Sequence, residues 1–206
     1  ATNPNDENDA KDSAVLTVTA REITLTGNSD TKTYTGKELE VTGFTAGAGQ
    51  LVSGHEVDAS AKAAGTDVGT YPGTITDAKD VKIKDADGKD VTKNYNIKTA
   101  PGQLVIEVAE SFSITLNDKT EGYNAEAHYL TAATSGAATG ATTIKYALEE
   151  DAADDEWYDS VEEAVLGRTD VGSTTIYAKA TNPNYENEAK DSAVLTVTAR
   201  EITLTG

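Results

Sequence analysis

Cysteine and methionine are absent from the 206 residues; there are two histidines (His55 and His128), two phenylalanines and one tryptophan, Trp157. Each scarcity closes off some chemistry. Without Cys there is no disulfide, no thiolate metal site and no cysteine nucleophile. Two His cannot build a multi-histidine metal centre. Positive charge is scarce as well: 17 Lys and Arg stand against 35 Asp and Glu, a net charge of −18. Such a chain lacks the cations that bind nucleic-acid phosphates or an anionic membrane surface, so neither is expected as a partner. No apolar run approaches the roughly 18 residues of a spanning helix, and no membrane insertion is expected in this segment. The chain opens at Ala1 without a signal peptide and reads as a piece of a longer protein, with any targeting or anchoring segment outside it.

What is abundant is Thr, with 31 residues. Thr is β-branched, stiff at χ1 and suited to the half-exposed face of a sheet. Repetition is a stronger signal still. Residues 1–27 and 180–206 are identical except at Asp6 against Tyr185 and Asp9 against Glu188, an offset of 180 − 1 = 179 residues. A weaker repeat of about 90 residues, a common size for a small β domain, lies inside that period. Asn94-Tyr95 matches Asn184-Tyr185, Tyr34-Thr35-Gly36 matches Tyr123-Asn124-Ala125, and Gln103-Leu104-Val105-Ile106 matches Ala193-Val194-Leu195-Thr196. Thr66-Asp67-Val68-Gly69 returns as Thr169-Asp170-Val171-Gly172, displaced further by an acidic insertion.

Apolar residues alternate with polar ones in short runs bounded by Gly, Asn, Asp or Pro, the strand signature. The runs are Ala14, Leu16, Val18; Ile23, Leu25; Leu104, Ile106, Val108; Phe112, Ile114, Leu116; and Ile144, Tyr146, Leu148. Residues 81–91 read as a hairpin turning at Asp87-Gly88. One or two helical turns are expected at 160–166, where Ser160 and Glu163 have capping-box spacing. The fold class expected is all-β: two tandem small β modules, elongated end to end. Their division is a tail of a preceding module at 1–21, a first module at 22–108, a second at 112–199, and the first strand of a following module at 200–206. The Ala14, Leu16, Val18 set and Ile202 with Leu204 then lack native neighbours, and at least one end is expected to pair with a neighbouring copy or an adjacent module.

The residues Lys32-Thr33-Tyr34-Thr35-Gly36-Lys37-Glu38, Gly65-Thr66-Asp67-Val68-Gly69-Thr70-Tyr71, Val91-Thr92-Lys93-Asn94-Tyr95 and Gly102-Gln103-Leu104-Val105-Ile106 occur in that order. A variant set follows in the second module: Ile144-Lys145-Tyr146, Trp157, Thr169-Asp170-Val171-Gly172 and Asn182-Pro183-Asn184-Tyr185. Together they resemble the MBG or YDG-type tandem repeats of Gram-positive bacterial cell-surface adhesins, over nearly the whole chain. The resemblance implies an extracellular, cell-wall-associated array of β modules, each with an immunoglobulin-like sandwich or grasp-like fold. The chain departs from the commoner pattern at Thr35 and Asn124, where an acidic residue is usual, and in the acidic stretch 149–163.

No nucleophile motif surrounds His55, and His128 lies in the other module, so no enzyme and no catalytic residue is expected. Residues 149–163 hold nine acidic and no basic residues. Asp151, Asp154, Asp155 and Glu156 are the candidate Ca²⁺ ligands there, but the Gly turn of a calcium loop is missing, and a solvated acidic loop is the reading preferred. Asp85, Asp87 and Asp90 form a second candidate that the hairpin turn already explains. No cofactor is expected. Trp157 and Tyr158 are candidate ligand contacts for a host glycan or protein, or else the ring folds back to cover one end of a small core. Tyr34, Tyr95, Tyr123 and Tyr185 recur at matched places, which points to a core or corner role. The leading function is a structural stalk or spacer repeat whose partners are neighbouring repeats; the alternative is an adhesin module binding through Trp157 and the acidic loop. The three-residue joint 109–111 restricts the angles between modules about 35–40 Å long, given ~3.3 Å per strand residue. Small-angle scattering should therefore report an elongated particle, and a compact globule would contradict the end-to-end arrangement.

Overall fold

The computed structural model describes residues 12–204; of the proposed end segments, 1–11 and 205–206 lie outside the described residues. The chain is all-β. In order, the strands are β1 (Arg21–Gly27), β2 (Asp30–Thr33), β3 (Leu39–Thr42), β4 (Phe44–Ala46), β5 (Glu56–Asp58), β6 (Ala61–Gly65), β7 (Gly69–Pro72), β8 (Thr74–Ile75) and β9 (Lys82–Lys84). Then come β10 (Tyr95–Ala100), β11 (Gln103–Glu107), β12 (Ile114–Thr115), β13 (Lys119–Gly122), β14 (Thr134–Ser135), β15 (Thr143–Ala147), β16 (Gly172–Thr181) and β17 (Ala189–Thr198). No described helix is long and apolar enough to cross a membrane.

Two compact units emerge. The first comprises the residues up to Asn28, Thr42–Ala61 and Thr74–Gly102. Here β1 is central, parallel to β10 and antiparallel to β4. The alternation of β1 turns Ile23 and Leu25 to one face, where they meet Val57 and Ile83 of the β5–β9 pair together with Val81, Val91 and Tyr95. Two small sheets with a dry layer between them result, which is the arrangement that alternating strands require. The hairpin is present: Gly88 N–H donates to Asp85 O at 2.9 Å, and Val91 N–H to Ile83 O at 2.8 Å.

The second unit comprises Ser29–Val41, Lys62–Gly73 and the residues from Gln103 onward. It has two cores. Leu104 and Ile106 of the β2–β11–β7 sheet pack with Tyr34, Ala63, Leu39 and Val41. Leu195 and Ile176 of the β13–β17–β16–β15 sheet pack with Ile114, Leu116, Leu130, Tyr146, Val161 and Leu166. The two sheets match residue by residue, with Leu104 equivalent to Leu195 and Ile106 to Val197, which moves the sequence match of 103–106 with 193–196 by one residue. Thr33 pairs with Glu107 and Gly69 with Ile106; Gly122 pairs with Thr198 and Gly172 with Val197. Tyr34 and Tyr123 donate their backbone N–H to Glu107 O and Thr198 O at 2.8 and 2.9 Å. Gly36 (φ 74°) and Ala125 (φ 68°) take the same left-handed turn, so the internal repeat preserves backbone shape even where a side chain makes that shape costly.

Several expectations are corrected. Residues 160–166 form a single 3₁₀ turn at Ala164–Leu166 rather than an α-helical turn from Ser160, whose hydroxyl instead accepts from Glu162 N–H at 3.1 Å. Val108 and Leu148 lie beyond the ends of β11 and β15 and are exposed, because ladder pairing stops one residue earlier in each case. Residues 12–20 form no strand, nor do 199–204. Alternation creates an apolar face, but only neighbouring strands can bury it. The contrast is sharp, since residues 10–27 repeat 189–206 without change: Leu16 is 89% exposed and Leu195 0%. Leu195→Ala should cost about 2–5 kcal/mol of stability in urea unfolding, whereas Leu16→Ala in the same sequence context should stay within about 0.5 kcal/mol.

Candidate functional site: a polar seat around Asn184

Two turns, one loop and the 109–111 joint meet in the second unit. The Asn182–Tyr185 turn closes by Tyr185 N–H to Asn182 O at 3.1 Å, with Pro183 inside it. Asn184 is buried, and burying an amide is unfavourable unless its donors and acceptor are met. They are met. Asn184 Nδ2 donates to Asp67 Oδ1 at 2.9 Å and to Thr139 O at 3.2 Å, and its Oδ1 accepts from Val68 N–H at 2.9 Å. Buried Asn182 works on the neighbouring loop, donating to Thr139 O at 3.0 Å and Thr142 Oγ1 at 2.9 Å and accepting from Asn184 N–H at 2.9 Å. Gly140 makes this approach feasible. Its φ is +83°, and a Cβ there would lie 2.7 Å from Asn184 Nδ2.

The Asp67 carboxylate fixes the proton order of the rest. It can only accept, so Thr139 Oγ1 donates to it; Tyr34 OH then donates to Thr139 Oγ1 at 2.8 Å, and the Tyr34 hydroxyl oxygen accepts from Thr139 N–H at 3.0 Å. Beside this chain the Tyr185 ring meets Tyr34 edge-on at 5.3 Å and Phe112 at 4.8 Å. The 109–111 joint is tied in by backbone: Ala109 N–H to Asn184 O at 3.0 Å, Glu186 N–H to Ala109 O at 2.9 Å, and Asn187 N–H to Glu110 O at 3.1 Å. Hydrogen bonds from Thr139 and then Asn184 hold the Asp67 carboxyl below its usual range, while burial and the adjacent Tyr34 push the Tyr185 hydroxyl up.

The residues singled out from sequence lie elsewhere. Trp157 is 7% exposed; its indole N–H donates to Ala152 O at 3.0 Å, and Lys179 Nζ sits 4.3 Å from its ring centre. Tyr158 is half-buried against the core and exchanges backbone bonds with Tyr146 at 2.8 Å. Asp151, Asp154, Asp155 and Glu156 are exposed, with Glu156 turned back onto Ala153 N–H at 3.0 Å. Asp85 Oδ1 accepts from Asp87 and Lys89 N–H within its own turn, and Asp90 Oδ1 from Thr92 N–H. Among the described residues no three carboxylate or imidazole groups converge on a metal position. His55 Nδ1 lies 2.7 Å from Tyr95 OH. A groove of about 610 Å³ in the second unit is lined by Lys119, His128, Tyr129, Asp159, Ser160 and Glu162 among others. Of the four tyrosines, Tyr34 and Tyr95 are buried and Tyr185 half-buried, but Tyr123 is 38% exposed, since no turn covers it.

No family model matches the chain, and no curated protein matches it. Among solved structures, the fibronectin(III)-like modules of Clostridium thermocellum CbhA align with 92% of this chain and 96% of their own, at 16% identity and a TM-score of 0.29. The titin domains z1z2 in complex with telethonin align with 90% and 97%, at 13% identity and 0.34. A SusE-like surface-located polysaccharide-binding protein from the Bacteroides thetaiotaomicron heparin utilisation locus aligns with 84% and 33%, at 10% identity and 0.25. Likeness at these scores assigns neither a family nor an activity.

The depressed Asp67 value has a pH consequence. A carboxylate whose folded pKa lies below its unfolded one contributes stability that is fully present above the unfolded pKa, and that contribution is lost as pH falls through the folded value. Urea midpoints of the wild type should therefore fall on acidification below the ordinary aspartate range, and Asp67→Asn should remove that part of the pH dependence.

Proposed function

We propose that the chain is a non-catalytic structural spacer repeat of a bacterial cell-surface protein, of the kind its MBG or YDG-type resemblance implies. The observation that carries this reading is the seat around Asn184. Its polar groups bond to one another, and Ala109 and Glu110 of the joint are bound to the Asn184–Asn187 segment by backbone hydrogen bonds. Such a cluster transmits position and force; it presents no nucleophile, no base and no open donor to a substrate. High negative charge supports the same reading, because like-charged arrays stay soluble and apart. On this proposal the repeat units are 22–108 and 112–199, each built from the matched strand pairs, and the array lies outside the cell.

A second reading is a ligand-binding module. Trp157 supports it less than sequence position alone suggests, since its ring is covered by Lys179 and the chain around it. The groove beside His128 and Tyr129 is the better place for a ligand. The test is direct. The chain, applied to glycan and host-protein arrays, should bind nothing above background, and an antibody against it should label intact cells. Specific retention on one glycan, abolished by Tyr129→Ala, would replace the spacer reading with the second one.

A further inference from the structure

We infer that Tyr123, Asp170 and Val171 form a second, open seat that receives the Thr92–Tyr95 turn of a second copy of this chain or of an identical following repeat. The inference deepens the spacer reading and rests on it for its biological setting. Its structural basis is independent: among the described residues one seat of this design is covered and another is exposed.

The two seats correspond in backbone as well as sequence. Tyr34 and Asp67-Val68 flank the end of β11; Tyr123 and Asp170-Val171 flank the end of β17 in the same register and with the same strand order. In the first seat Tyr34 is 4% exposed, and Asp67 and the Val68 N–H are both engaged by Asn184. In the second, Tyr123 and Val171 are exposed where Tyr34 is buried and Val68 half-buried, while the aspartate is exposed in both seats. The open turn is already held in shape. In the first seat Tyr71 OH donates to Asp67 O at 2.8 Å; in the second the Arg168 guanidinium donates to Val171 O at 3.1 Å and Thr174 Oγ1 at 2.9 Å. A preformed turn binds without the cost of ordering it.

The matching insert is present too. Asn184 is delivered by the turn Asn182–Tyr185, closed by Tyr185 N–H on Asn182 O. The first unit carries the same turn at Thr92–Tyr95, closed by Tyr95 N–H on Thr92 O, and its Asn94 is exposed where Asn184 is buried. Tyr95 anchors that turn from behind, its hydroxyl held by His55 and Val52 N–H. The chemistry expected of the new contact is that of the filled seat: an Asn amide donating to the Asp170 carboxylate and accepting from the Val171 N–H, with Tyr123 covered beside it.

Because the chain has no Cys, introduced cysteines report this contact alone. A Val171→Cys protein is mixed with a Lys93→Cys protein, which keeps Asn94, at about 1 mM, the effective concentration of a short tether, and oxidised mildly. Ser60→Cys, also exposed in the first unit, replaces Lys93→Cys as the control. The Val171→Cys/Lys93→Cys heterodimer should exceed the control heterodimer about tenfold, equivalent to ~1.4 kcal/mol of contact. Asp170→Lys in the Val171→Cys protein should remove the excess. Equal yields with both partners, or an excess that survives Asp170→Lys, would overturn the inference. All substitutions are at exposed sites, and circular dichroism confirms folding before mixing. The readout uses neither cell location nor ligand, so the spacer reading and the open seat stand or fall separately.

Discussion

Asn184 is the residue on which the second unit turns. Its side chain is buried, so its three polar valences must be answered by protein. They are answered by two separated stretches of chain, through Asp67 and Val68 on one and Thr139 on the other. Removing the amide would leave the half-buried Val68 N–H without its acceptor, and an unmet group sheltered from water costs more than a hydrogen bond contributes on average. That asymmetry makes the cluster specific. An apolar contact of the same size would tolerate sliding, whereas a network of directional bonds accepts one arrangement.

The network rests on strands that bring its members to one sheet end. Parallel pairing of β2 with β11 and of β13 with β17 puts Tyr34 and Tyr123 at equivalent ends of their sheets. Antiparallel pairing of β7 and β16 with the same central strands returns Asp67 and Asp170 to those ends. The polar chemistry of the seat is thus fixed by sheet register, and register is fixed by apolar alternation in β11 and β17. A one-residue slip would turn Leu104 and Ile106, or Leu195 and Val197, out of the cores and dismantle the seat with them.

Much of this was legible in the chain before any coordinates. The all-β class follows from short alternating runs between turn residues, and Ile23, Leu25, Leu104, Ile106, Ile114 and Leu195 all face cores as their periodicity demands. The internal repeat was legible because Asp-Val-Gly and Asn-Tyr survive in both halves. The seat itself was not. Asp67, Thr139 and Asn184 are small polar residues of the commonest loop types, and nothing local distinguishes a side chain bonded to a distant turn from one bonded to water. The usable signal was the pairing of motifs: Thr-Asp-Val-Gly and Asn-Tyr recur together, as a donor and an acceptor of one contact would. The rare residue, Trp157, lies apart from the seat and is buried, as a large ring in a small module first of all has to be.

The duplicated segment shows how far local sequence falls short of structure. Residues 12–19 and 191–198 have the same residues in the same order, yet one stretch is exposed and unpaired and the other is the central strand of a four-stranded sheet. Propensity, alternation and turn signals are equal in both, so none of them decides the outcome. What differs is the company each stretch keeps: β13 and β16 flank the second, and no described strand flanks the first. Strand formation in this chain is therefore a property of neighbouring segments rather than of the segment itself. A repeat built on that rule couples the folding of each module to the segments that complete it, and directional contacts such as those of Asn184 determine which segments those are.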